Sequence, residues 1–157
     1  MIIDGKKISK DLIEKVKDEV SKIKKQINDF KNKQNKTPKL SVILIGNYAP
    51  SEIYVKNKEK FAKEAGINSE VIRYPKEISE KEVLKKIDEL NDNSKISGIL
   101  VQLPLPPHIN KEKIINAIKP SKDVDGFHPM NVGGLASGSK SIVPCTPLGC
   151  LFLIKSV

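Results

Sequence analysis

The first part of the chain has apolar residues at every third or fourth position, the spacing that places them along one face of a helix. They are Ile8, Leu12, Val16, Val20, Ile23, Ile27 and Phe30. This spacing predicts a long amphipathic helix from about Ser9 to Asn32. The segment 32–38 is polar and ends in Pro38, so it is predicted to be a loop.

Two largely apolar runs, rich in β-branched residues, are typical of parallel strands that are covered on both faces. Helical and strand patterns alternate around them. The predicted elements are a strand at 40–45, a helix at 50–65, a strand at 70–74, a helix opened by a capping box at 79–90, a strand at 96–101 and a helix at 110–118. This order predicts an α/β fold of three layers (αβα), with a mostly parallel sheet flanked by helices.

The segment 120–149 has no clear period and is rich in Gly, Pro, Ser and Asp. It is too long for a simple connection, so we expect a functional or disordered loop. Near its end, Pro144 to Gly149 has the composition of a helix start. Thr146 is the predicted N-cap of that helix, with Pro147 in the first turn.

Composition indicates one globular domain. The chain has 157 residues, 38% of them hydrophobic, and no apolar run approaches the length needed to cross a bilayer. The first residues lack the layout of a secretory signal, so we expect a cytoplasmic protein without a membrane partner. The two cysteines, Cys145 and Cys150, have no further cysteine or nearby histidine at a metal-ligand spacing, which predicts reduced thiols that bind no metal.

The formal charge of +9 invites a nucleic-acid-binding interpretation. However, the lysines alternate with Asp and Glu along the predicted helices, Arg73 is the single arginine, and aromatic residues make up 4% of the chain. We therefore expect a lysine-rich solvated surface and no nucleic-acid partner. A nucleic-acid binder would instead show tight, salt-sensitive association with oligonucleotides.

The helix after Pro50 places a lysine among apolar residues. Positions 54, 58, 61 and 65 share a stripe and hold Tyr54, Lys58, Phe61 and Ala65. An ammonium group on such a face is desolvated, which favours its neutral form and makes it a candidate for proton transfer. The alternative, which this pattern alone favours, is that Lys58 buries its stem and extends its charge to solvent.

Ligands in such folds bind beyond the carboxyl ends of the strands. Two loops are predicted there, one leading to Ser51 and Tyr54 and one beginning Gln102-Leu103-Pro104. The amide of Gln102 offers both a donor and an acceptor and can orient a nearby amine. The alternative is that it only bonds its own backbone at the strand end.

The segment Lys122-Asp123-Val124-Asp125-Gly126-Phe127-His128-Pro129 combines two carboxylates, a glycine and a histidine. It fails as a calcium loop because the glycine comes too early and the later acidic ligand is missing. One carboxylate can instead accept two parallel hydrogen bonds from an amino-pyrimidinone edge such as a pterin presents. The alternative is an Asp-Gly turn stabilised by side chain to backbone bonds, with His128 in a structural role.

Four strings, taken in order and spacing, resemble one known family. They are Tyr54-Val55-Lys56-Asn57-Lys58, Val101-Gln102-Leu103-Pro104-Leu105-Pro106, the segment 122–133 and Pro144-Cys145-Thr146-Pro147-Leu148-Gly149. The resemblance extends from Ile3 to the last residue. The family that these strings resemble is the FolD family of bifunctional methylenetetrahydrofolate dehydrogenase and methenyltetrahydrofolate cyclohydrolase enzymes.

The resemblance implies an enzyme that interconverts methylene-, methenyl- and formyl-tetrahydrofolate. Lys58 would act as general base or acid, Gln102 would hold it in a reactive protonation state, Tyr54 would stack on the substrate and Asp125 would bind the pterin. The substrate-binding residues implied are Ser51, Tyr54, Lys58, Gln102, Leu103, Pro104 and Asp125. The alternative is a folate-binding module without catalysis.

The resemblance also implies a domain division. Residues 1–143 would form the catalytic domain and 144–157 would begin an interdomain helix, with the domain that binds NADP absent from this sequence. No G-x-G-x-x-G motif occurs. The family transfers hydride to NADP without a metal, and it forms homodimers whose contacts lie largely in the other domain, so the assembly of this chain is left open.

Overall fold

The computed structural model describes residues 2–29 and 37–157. Its helices are α1 (Gly5–Asp29), α2 (Ala49–Glu64), α3 (Glu80–Asp92), α4 (Lys111–Ala117), α5 (Pro129–Ala136) and α6 (Cys145–Ile154), and its strands are β1 (Lys39–Ile45), β2 (Asn68–Tyr74) and β3 (Gly98–Val101). A short 3-10 turn covers Pro120–Lys122. The predicted end of the first helix and most of the loop after it lie outside the described residues. None of the described helices is long and apolar enough to span a membrane.

The strands form a parallel sheet in the order β2-β1-β3, so β1 is central. Each strand begins and ends within two residues of its predicted bounds. In the register, Val42 of β1 lies between Val71 of β2 and Leu100 of β3. The predicted parallel sheet is therefore confirmed.

The two faces of β1 point into two different apolar clusters. On one face, Ile43 and Ile45 pack with residues of α3 and α4, including Ile87 and Ile114, all of which are buried. On the other face, Val42 and Leu44 pack with Val55 of α2 and with Leu100. Because helices cover both sides of the sheet, the predicted three-layer arrangement is also confirmed.

Two helix starts differ from prediction for local reasons. Helix α1 begins at Gly5 rather than Ser9, because Asp4 Oδ1 accepts hydrogen bonds from the N–H groups of Lys6 and Lys7 at 3.1 and 3.0 Å and so caps the helix earlier. The N-cap of α6 is Pro144, not Thr146, and it makes no side-chain cap bond. Since Pro147 needs no N–H partner, the first turn accommodates it two positions further inside the helix than predicted.

The segment predicted to be an irregular loop contains α5. Its two glycines, Gly133 and Gly134, have low helix propensity, so the sequence pattern did not predict this helix. The helix forms because His128 Nδ1 accepts a hydrogen bond from Met130 N at 3.1 Å and Pro129 occupies the first turn. His128 thus has the structural role expected of it.

Candidate functional site

The candidate site lies where the first turn of α2 meets the chain that leaves β3. Gln102 N donates to Ile43 O at 2.9 Å, which continues the sheet ladder one residue past β3. Ser51, a buried residue of α2, donates through its hydroxyl to Leu103 O at 3.4 Å. These contacts fix the backbone of the strand-end loop against the helix, as expected for the carboxyl edge of a parallel sheet.

An amine and an amide are paired at this edge. Lys58 Nζ donates to Gln102 Oε1 at 2.9 Å. The other end of the amide, Gln102 Nε2, donates to Leu103 O at 2.8 Å, which fixes the orientation of the amide. Both interpretations of Gln102 are therefore correct, because its amide bonds the adjacent backbone carbonyl of Leu103 and the amine of Lys58 at the same time.

The apolar face of α2 is rotated from its predicted position. Its buried residues are Ser51, Val55 and Ala62, and Lys58 lies between them in a partly buried position. The side chains of Tyr54 and Phe61 are not in the core, since Tyr54 is 63% exposed and Phe61 is 42% exposed. The predicted stripe through Tyr54, Lys58 and Phe61 was wrong in this respect, although Lys58 does lie on the inward side of the helix.

The two aspartates after the 3-10 turn have different environments. Asp123 is 3% exposed, and its carboxylate accepts hydrogen bonds from Gly126 N, His128 N and Asn131 Nδ2 at 3.1, 2.9 and 2.9 Å. It therefore fulfils the turn-stabilising interpretation of this segment. Sequence reasoning gave no role to Asn131, although it lies within the third string of the resemblance.

Asp125 is only partly buried and accepts no hydrogen bond from the residues the structure describes. Burial raises the pKa of its carboxyl above the ordinary value, while the charge of Lys58 lowers that pKa and the charge of Asp123 raises it. The carboxyl group is thus within electrostatic reach of Lys58 and has its acceptor positions free. This is the aspartate that the resemblance assigned to substrate.

Cys145, at the start of α6, lies beside the same groups. Its thiol donates to Val124 O at 3.5 Å. The pKa of the thiol is raised by partial desolvation of the sulfur and by the charge of Asp125, and it is lowered by the charge of Lys58. A raised pKa keeps the thiol protonated, so it is not an activated nucleophile. The predicted site did not include it; its place in the fourth string was the available signal. Both cysteines are free.

The remaining predicted residues surround this group less closely. Leu103, Ile114, Ile118, Asp125 and Phe127 help to line a narrow cleft beyond β3. Pro104 and Tyr54 are exposed, and no hydrogen bond links the Tyr54 side chain to the Lys58–Gln102 pair. Within residues 2–29 and 37–157 there is no group of three or more potential metal ligands.

The fold and site define a class, namely α/β domains that carry an amine–amide pair at the carboxyl edge of a small parallel sheet. A family model described as the tetrahydrofolate dehydrogenase/cyclohydrolase catalytic domain matches residues 3–125. The chain belongs to this family.

Similar proteins include the bifunctional protein FolD of Pelagibacter ubique, 59% identical over all of this chain and 53% of the relative, and that of Listeria innocua, 51% identical over 99% and 52%. Among solved structures, the bifunctional enzyme FolD of Campylobacter jejuni is 41% identical with a TM-score of 0.85, over 99% of this chain and 53% of that one. The Trypanosoma brucei enzyme, complexed with NADP cofactor and inhibitor, is 31% identical with a TM-score of 0.90, over 99% and 51%. The chain spans about half the length of the curated relatives it matches.

Proposed function

We propose that this chain binds a one-carbon tetrahydrofolate and supplies the residues that add water to its methenyl carbon, the cyclohydrolase step that forms 10-formyl-tetrahydrofolate. The observation that carries the proposal is the hydrogen bond from Lys58 Nζ to Gln102 Oε1 at 2.9 Å. Membership of the tetrahydrofolate dehydrogenase/cyclohydrolase family supports the substrate class.

In the proposed reaction, Lys58 handles the proton and the developing oxygen charge. As the oxygen of water bonds to the methenyl carbon, one of its protons passes to the uncharged amine of Lys58. That proton goes on to the ring nitrogen when the carbon–nitrogen bond breaks, and the remaining hydroxyl proton leaves to solvent as the formyl C=O forms. Because one donor of the amine is held by Gln102, the others remain to stabilise the new oxygen. Gln102 is proposed to fix the direction of the amine before substrate arrives.

Asp125 is the proposed pterin anchor. The Asp125 carboxyl is partly desolvated and accepts no hydrogen bond from the described residues, so hydrogen bonds from a ligand's N–H groups would stabilise it. Asp123 would gain less, because its carboxylate already accepts three hydrogen bonds. The exposed ring of Tyr54 is proposed to stack on the substrate, and Ser51, Leu103 and Pro104 to shape the loop it contacts. These roles follow the family resemblance.

The family's dehydrogenation step is proposed to use NADP, the cofactor named with the Trypanosoma brucei relative. The turn after β1 has one glycine, Gly46, followed by Asn47 and Tyr48, which does not fit the closely approached pyrophosphate of a dinucleotide. Folate binding and water addition are the steps that we propose for the described residues of this chain.

The test compares the wild-type chain with Lys58→Ala and with Lys56→Ala, a matched control that removes an exposed lysine from the same helix. Binding of methenyl-tetrahydrofolate is measured by calorimetry, and its hydrolysis by loss of the methenyl absorbance above the protein-free rate. We expect Lys58→Ala to lower the catalysed rate by about 10²–10⁴-fold and Lys56→Ala to leave it unchanged.

Each outcome has a distinct meaning. Equal catalysed rates in the wild type and Lys58→Ala would remove Lys58 from the mechanism. Binding without catalysis by the wild type would identify a non-catalytic folate-binding module instead. No binding by the wild type would refute the proposed function for this chain.

A further inference from the structure

We propose that Asp123 is a positioning residue for Asp125: it holds the loop 124–131 in the shape that presents the second carboxylate to substrate. The inference rests on the proposed function for the identity of that substrate. Its structural part concerns this chain's own residues and can be tested without any folate.

The geometry shows why one carboxylate organises the whole loop. The three donors that reach Asp123 belong to residues 126, 128 and 131. The two carboxylate oxygens of Asp123 therefore bind the part of the loop that follows Asp125 in the sequence. Asn131 Nδ2 also donates to Pro120 O at 2.9 Å, which ties the end of the loop to its beginning. Asp125 is thus enclosed within a closed hydrogen-bonded ring.

The loop is also fixed on its outer side. Gly126 has a φ of +69°, and a Cβ at that position would lie 2.9 Å from Ile142 O, so the backbone is pressed against the segment before α6. Before the loop, Lys122 Nζ donates to the carbonyl oxygens of Leu90, Asn91 and Asn93 at the end of α3. Asp125 therefore lies between two anchored stretches of chain.

A carboxylate suits this arrangement because all three groups that are hydrogen-bonded to the Asp123 side chain are donors. In Asp123→Asn, one of the two acceptors becomes an NH₂ group, which leaves a buried loop N–H or the Asn131 amide without a partner. We therefore expect the loop amides of Gly126 and His128 to open more often, although the shape of the side chain is unchanged.

Asp123 also acts on Asp125 through its charge. Burial raises the pKa of the Asp125 carboxyl, Lys58 lowers it and Asp123 raises it further. Removing the negative charge of Asp123 should therefore lower the pKa of Asp125.

The test uses the full chain with Asp123→Asn, with Asp88→Asn as the control because Asp88 is an exposed aspartate on α3. The pKa of Asp125 is read from the ¹³C shift of its carboxyl, and loop opening from hydrogen exchange at Gly126 and His128. We expect Asp123→Asn to lower the Asp125 pKa, to speed exchange about tenfold and to weaken folate binding about tenfold, and Asp88→Asn to change none of these. If Asp123→Asn does not fold, Asn131→Ala removes one donor while retaining the charge, and is expected to speed exchange without lowering the Asp125 pKa.

The results separate this inference from the proposed function. If the Asp125 titration and loop exchange in Asp123→Asn match the wild type, the positioning role is overturned whether or not folate binds. Unchanged folate affinity in Asp123→Asn would overturn it as well. If the wild type binds no folate, the proposed function fails, while titration and exchange still decide whether Asp123 sets the state of Asp125.

Discussion

Helices α3 and α6 show that apolar content and burial are different properties. In α3, charged residues alternate with apolar ones, yet Val83, Ile87 and Leu90 are all buried because they share one face. In α6 the sequence CTPLGCLFLI is far more apolar, but none of its residues is buried. The segregation of apolar residues onto one face, not their number, is what docks a helix onto this sheet.

Helices α5 and α6 carry six of the sixteen large apolar residues that are exposed in the described part of the chain, and we call these two helices the carboxyl-terminal surface. Its large members are Met130, Val132, Leu135, Leu151, Phe152 and Ile154. A helix that is apolar on all sides is typical of a buried element in a larger body. The exposed apolar residues of α6 are compatible with the prediction that residues 144–157 begin an interdomain helix, which stays a prediction.

The largest change in the free energy of unfolding is expected from a substitution in α3. Leu90 is 6% exposed and packs in the cluster between α3, α4 and the sheet. Leu90→Ala removes buried methyl groups and leaves a cavity, so we expect a loss of about 2–5 kcal/mol in the free energy of unfolding. Urea denaturation followed by circular dichroism measures it, and a loss below about 1 kcal/mol would mean that this cluster is not the core.

A second effect concerns how the two helices begin. The hydroxyl of Ser79 accepts from Glu82 N while the Glu82 carboxylate accepts from Ser79 N, a complete capping box, whereas α6 has no side-chain cap. Ser79→Ala should cost about 1 kcal/mol of unfolding free energy. Thr146→Ala in α6 is the control and should cost much less; an equal cost would contradict the difference in capping.

The features of the fold that repeat along the sequence were predictable. Segments with apolar residues at every third or fourth position alternate with largely apolar segments. This alternation indicated the sheet and its two helical layers, because each layer must bury one face. Helix α5 was missed since its glycines break the pattern and its stability comes from the cap at His128. The orientation of α2 was wrong because Tyr54 and Phe61 were counted as core, whereas the smaller Ser51, Val55 and Ala62 form the buried stripe.

The site was less predictable from the residues themselves. Lys58 and Gln102 are 44 positions apart, and their contact depends on how a helix and a strand end meet in the fold. The family resemblance named both residues, but spacing alone did not join them. The different environments of Asp123 and Asp125 depend on which side chain points inward. An irregular loop has no regular spacing of apolar residues from which this could be predicted.

A third effect follows from the raised pKa of Asp125. A carboxyl whose pKa is higher in the folded than in the unfolded chain favours folding in its protonated form, so its contribution is present at low pH and is lost as pH rises through the folded-state pKa. Asp125→Asn should therefore raise the melting temperature modestly at neutral pH and leave it unchanged at acid pH, while folate binding falls. Thermal melts across about pH 3 to 8 measure this, and a gain that is equal at both ends would contradict the cause given.

The smallest effect is expected on the carboxyl-terminal surface and completes the comparison. Leu151 is 44% exposed in α6, and Leu151→Ala is the same chemical change as Leu90→Ala in α3. Because little apolar area is removed from water at position 151, the unfolding free energy should change by no more than about 0.5 kcal/mol. If both leucine variants lose the same stability, α6 is packed more tightly than its exposure indicates. The proposed difference between α3, whose apolar residues share one face, and α6, which is apolar on all sides, would then be wrong.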